Sequence, residues 1–97
     1  MSKQGGISMT EELLLKLSYG IEMPDGFFLF TCNSESPFAS LCYWGEKTQF
    51  LIDHGFRYSE ERVLIDTYPF PIVESASISM IESFQQWLRR VTGELPL

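Results

Sequence analysis

The stretch from Ser79 to Thr92 (SMIESFQQWLRRVT) constrains the fold more than any other part of this chain. Met80, Ile81, Phe84, Trp87, Leu88 and Val91 recur at the three- and four-residue spacing that lines one side of an α-helix, while Glu82, Ser83, Gln86, Arg89 and Arg90 take the other side. Ser79 and Glu82 have the spacing of a capping box, and Arg89 and Arg90 stand where cations favour the carbonyl end of the helix dipole. Gly93 is placed to end the helix. A stripe containing Phe84 and Trp87 needs a broad apolar surface to cover, which the middle of the chain has to supply.

With 97 residues the chain is long enough for one core and too short for two, so a single domain over 8–97 is expected behind a mobile N-terminal tail, 1–7. A second helix opens at Ser8 or Thr10, with Glu11 and Glu12 in its first turn and Leu13, Leu14 and Leu17 on its apolar side, and ends near Gly20. Met23-Pro24-Asp25-Gly26 has the composition of a β-turn, read with proline at the second position of type I. Beyond it the period becomes extended. Phe27 to Cys32 and Phe38 to Trp44 read as a hairpin around Asn33 to Pro37, with Cys32 opposite Phe38.

Gly45-Glu46 matches a type II′ hairpin, which makes Lys47 to Arg57 a third strand and Arg62 to Tyr68 a fourth, broken at Pro69-Phe70-Pro71. Residues 46–55 also fit a short helix closed by Gly55, with Phe50, Leu51 and His54 on one side; the strand reading is preferred because it yields a coherent sheet. The expected fold is therefore α+β: an antiparallel meander of about four strands with the N-terminal and C-terminal helices packed on one face. Alternation then assigns Phe27, Leu29, Ala39, Leu41, Tyr43, Phe50, Ile52, His54, Val63 and Ile65 to the helix-covered face. The other face carries polar residues such as Arg57, Arg62 and Asp66 over the last two strands, but Phe28, Phe30, Cys32, Phe38, Cys42 and Trp44 over the first two. An aromatic half-face is not an ordinary solvent face.

Thirteen acidic against seven basic residues give a net charge of −6, which opposes binding to nucleic acid or anionic lipid. Mimicry of nucleic acid would need these carboxylates gathered on one face, and in the sequence they are scattered. No stretch has the length of a signal peptide or membrane span, and Cys32 and Cys42 without a CxxC are read as reduced thiols of a cytoplasmic protein. His54 with Cys42, and with Tyr43 nearby, offers an alternative reading as a small enzyme or ligand pocket. It has no local signature, and a zinc site from Cys32, Cys42 and His54 would lack its fourth ligand. No catalytic, cofactor or metal residue is assigned.

The function expected from the sequence is a protein-protein interaction module, such as an inhibitor, immunity protein or chaperone-like adaptor. It would bind a basic partner, or a second copy as a homodimer, through Phe28, Phe30, Phe38 and Trp44. Phe70, between two prolines, is the fifth candidate contact; it reads either as an exposed anchor or as a side chain tucked under the C-terminal helix.

Overall fold

In a computed structural model, residues 9–31, 38–72 and 77–95 are described. The expected N-terminal tail, Ser8 as helix cap, Cys32 and the first hairpin loop lie outside them. The architecture is α+β: α1 (Met9–Leu17), β1 (Phe27–Thr31), β2 (Phe38–Tyr43), α2 (Thr48–Asp53), β3 (Arg57–Ser59), β4 (Arg62–Pro71) and α3 (Ile78–Gly93). The four strands form one antiparallel, curled sheet in the order β1-β2-β4-β3.

The C-terminal helix buries the stripe its spacing predicts. Phe84, Trp87, Leu88 and Val91 are buried, and Met80 and Ile81 pack against the same core. Its start differs from the expected one: Ser77, not Ser79, is the cap, and its hydroxyl accepts the Met80 N–H at 3.2 Å. Gly93 remains helical, and Glu94 occupies the C-cap. α1 lies against α3, where Gln85 Nε2 donates to the Leu17 carbonyl at 2.9 Å and Leu13, Leu14 and Leu17 enter the core. Gln85 thereby supplies a donor to a carbonyl left open at the end of α1.

The first hairpin has the predicted register, with Phe27 opposite Tyr43 and Thr31 opposite Ala39. Ahead of it, the turn differs by one position. The Phe27 N–H donates to the Pro24 carbonyl at 3.2 Å, which puts Pro24 first and Gly26 third, and Gly26 has φ of 92°, the left-handed conformation a type II turn requires there.

The third element is a correction. Lys47 to Arg57 is not a strand: Thr48–Asp53 forms α2, and Gly55, at φ of 98°, follows it. Only Arg57 to Ser59 extends, as β3. Six residues hold too few turns for period alone to separate helix from strand, and local bonds favour the helix. Thr48 Oγ1 donates to the Gly45 carbonyl at 2.7 Å, Gln49 bonds Asp53 at 3.0 Å, and Tyr43 Oη accepts the Lys47 N–H at 2.9 Å. Leu51 is thereby fully buried, while Phe50 and His54, both assigned to the core face, are exposed.

With α2 out of the sheet, β4 pairs directly with β2, so the order is not that of a consecutive meander. β4 also runs through Pro69 and Pro71 instead of breaking before them. It is irregular where it does so. Leu41 lies opposite Asp66 and Cys42 opposite Leu64, leaving Ile65 as an extra residue, and a second shift lies between the Ser40–Thr67 and Phe38–Pro71 pairs. Prolines are tolerated at bulges and at an edge, and β3 pairs β4 only at Arg62 to Leu64. The Ile65 bulge reverses the alternation downstream. Asp66, expected on the open face, shares the helix side with Leu41 and Trp87, and Tyr68 follows it into the core.

Candidate interaction surface

Residues paired across strands share a face. Phe28, Cys42 and Leu64 form one row of the side away from α3, and Phe30, Ser40 and Thr67 form the next, closed by a 3.1 Å hydrogen bond between the Ser40 and Thr67 hydroxyls. The Arg62 guanidinium lies 4.1 Å from the centre of the Phe30 ring and is held by Glu60 Oε1 at 3.1 Å. A cation over an aromatic face is worth about 0.5–2 kcal/mol depending on desolvation. Phe30 is half-buried and Cys42 fully buried, so these two of the aromatic half-face are part of the packed structure.

The others remain open. Phe28 is 36% exposed, Phe38 38% and Trp44 53%. Trp44, just beyond the end of β2, donates its backbone N–H to the Gly26 carbonyl at 2.9 Å, and its ring stands 6.2 Å from that of Tyr58. It borders a cleft of about 450 Å³ whose lining includes Asp25, Phe27, Tyr43, Glu46 and Lys47. Phe27 and Tyr43 form the packed floor, with ring centres 4.8 Å apart. Lys47 turns its ammonium over Phe50, at 6.0 Å, so Asp25 and Glu46 are the carboxylates available at the rim.

Phe70 does not join this group. It lies on the α3 side, 5.6 Å from the Tyr68 ring, at a second cleft of about 320 Å³ lined by Tyr68, Pro69, Ser83, Gln86, Trp87 and Arg90. Its side chain is neither free of α3 nor tucked beneath it: it stands at the groove's edge and is 58% exposed. The groove's inner wall is closely packed: Tyr68 and Ser83 share a 2.8 Å hydroxyl bond, and the Tyr68 ring packs edge to face with Phe84 and with Trp87.

The residues of the enzyme alternative are dispersed. Cys42 is buried on the open side of the sheet, whereas His54 caps α2 in solvent with Nδ1 2.9 Å from the Phe50 carbonyl, and neither lines either cleft. Among the described residues no group of three or more His, Cys, Asp or Glu side chains is arranged to hold a metal. None of the helices described is long and apolar enough to cross a membrane.

Sequence reasoning did not single out Tyr58, Arg62, Asp25 or Glu46 as parts of this surface. Arg62 and Tyr58 reach it through the β3-β4 hairpin, whose place beside β2 depends on α2 leaving the sheet. Asp25 and Glu46 come to line one cleft because the Gly26–Trp44 backbone bond joins their turns. Comparison of the chain with family models, with curated proteins and with solved structures finds no match.

Proposed function

We propose that this chain is a protein-interaction domain that docks a basic partner at the end of its sheet, in the cleft beside Trp44. The observation that carries the reading is the exposure of Trp44 beside Tyr58, at a cleft whose rim bears Asp25 and Glu46. A folded chain with room in its core buries its large aromatics, as this one does with Phe84 and Trp87. Trp44 is left outside with an acidic rim, an arrangement that suits a lysine or arginine of a partner: the indole face attracts the cation and the carboxylates pair with it. The net charge of −6 adds steering of a basic partner over longer range. The carboxylates themselves are divided among α1, α2, the β3-β4 hairpin and α3 (Glu12, Asp53, Glu60, Glu61, Glu82), which gives nucleic-acid mimicry no support.

The test is affinity capture from the source cell with the full chain, compared across variants. Trp44→Ala and Glu46→Lys should each keep the fold and weaken the captured basic protein at least about tenfold, while Phe70→Ala leaves it bound. Capture that is equal for all four proteins would sink the reading.

A further inference from the structure

We infer that the outer edge of β1 pairs with β1 of a second copy, giving a weak two-fold dimer with a continuous eight-stranded sheet. This rests on the edge of the sheet and not on the Trp44 surface, so the two proposals stand or fall separately.

The backbone identifies which groups face outward. The Trp44 N–H donates to the Gly26 carbonyl, which makes Gly26 and Trp44 a hydrogen-bonded pair in the β1-β2 register. Hydrogen-bonded and non-bonded pairs alternate along an antiparallel ladder, so Phe28 and Phe30 bond to β2 while Phe27, Leu29 and Thr31 direct their N–H and carbonyl groups away from it. Phe27 uses its N–H within the preceding turn, to Pro24. Among the described residues no strand pairs with this edge. The Leu29 N–H and C=O, the Thr31 N–H and the Phe27 C=O are thus presented together.

These groups are self-complementary. With a two-fold axis at Leu29, the two Leu29 residues exchange both bonds, and each Thr31 N–H meets the Phe27 carbonyl of the other copy. The Phe27 N–H, already engaged, is not required. Phe28 of one copy then lies opposite Phe30 of the other in a non-bonded pair, where side chains approach most closely, and the exposed Phe28 rings are covered.

The remaining edges carry the usual protections against strand addition, and β1 carries none. β3 is three residues long with Arg57 on it and Glu60 and Glu61 at its turn, and the part of β4 beyond β3 holds Pro69, Pro71 and the irregularities. The sequence of β1, FFLFT, has no charge, proline or bulge. It therefore brings two acidic chains together along a neutral seam.

A five-residue seam buries less than a standard interface, so dimerisation should show between ~10 µM and ~1 mM. Sedimentation equilibrium of the full chain should give a mass rising towards double across that range. Over the same range, amide exchange of Leu29 and Thr31 should slow while Phe28 and Phe30 stay protected throughout. Thr31→Pro removes one outward donor, and Phe28→Lys sets a cation opposite the other copy's Phe30, where Arg62 already lies; each should leave a monomer with unchanged circular dichroism. Trp44→Ala should dimerise as the parent does. A parent that stays monomeric to ~1 mM overturns the inference, as does exchange at Leu29 and Thr31 that is independent of concentration, a readout that needs no variant. Loss of basic-partner capture with intact dimerisation would sink the proposed function alone.

Discussion

The indole Nε1 of Trp87 donates to Oδ2 of Asp66 at 2.8 Å, tying the middle of α3 to the middle of β4. The bond exists because Ile65 bulges from the strand. Without that extra residue Asp66 would face the open side of the sheet, and Trp87 would bring a polar N–H into the core without a partner. The bulge thus satisfies the one polar atom on an otherwise apolar helix stripe, in a contact rimmed by the Tyr68 ring.

Trp87→Phe should keep most of the packing and lose the bond, destabilising the fold by about 1–2 kcal/mol, since one partner is a carboxylate but the pair is only partly buried. Asp66→Leu should cost a similar amount, because it leaves the indole N–H unsatisfied. Urea unfolding of both single variants and the double variant measures the coupling. A double variant whose loss is the sum of the two singles would show that the bond contributes nothing.

The α2 assignment makes a prediction opposite to that of a third strand. In the helix Leu51 is fully buried and Phe50 is 39% exposed. Leu51→Ala should therefore cost about 2–5 kcal/mol, and Phe50→Ala clearly less. In a strand with Phe50 on the core side the ranking would be reversed, so equilibrium unfolding of the two variants decides between them.

Two left-handed backbone positions should respond to substitution in opposite directions. Gly26, at φ of 92°, has Tyr43 Cε1 only 2.5 Å from where a Cβ would stand, so Gly26→Ala should cost about 2 kcal/mol or more from strain plus displacement of the Tyr43 ring. Glu61, at φ of 64° in the β3-β4 turn, already bears the strain of a side chain. Glu61→Gly should stabilise by about 0.5–1 kcal/mol, the relief being partly offset by the greater freedom of glycine in the unfolded chain. Thermal melting of the two variants should move the midpoint down and up respectively.

The aromatic surface was legible in part. Alternation along the first hairpin placed Phe28, Phe30 and Cys42 away from the helices, because its register follows directly from a local pattern of apolar residues. It could not show that Arg62 covers Phe30, or that Trp44 has Tyr58 beside it, since both contacts cross to a hairpin distant in the chain. Phe70 illustrates the same limit: whether it stands at α3 or in solvent depends on β4 continuing through two prolines.

By itself the sequence determined the two flanking helices, the β1-β2 hairpin and the α+β class, since each rests on spacing within a few residues of its own neighbours. Tertiary structure decided the rest. Residues 48–53 had two local solutions of similar merit, and the choice of helix let β4 take the place beside β2. The bulge at Ile65 then decided which side Asp66 and Tyr68 face, because one inserted residue reverses a period of two. No local pattern announces such an insertion; the pairing of distant strands and the need of Trp87 for an acceptor account for it. The stretch around Trp87 that constrained the fold at the outset is thus completed by Asp66, a residue whose position only the sheet could set.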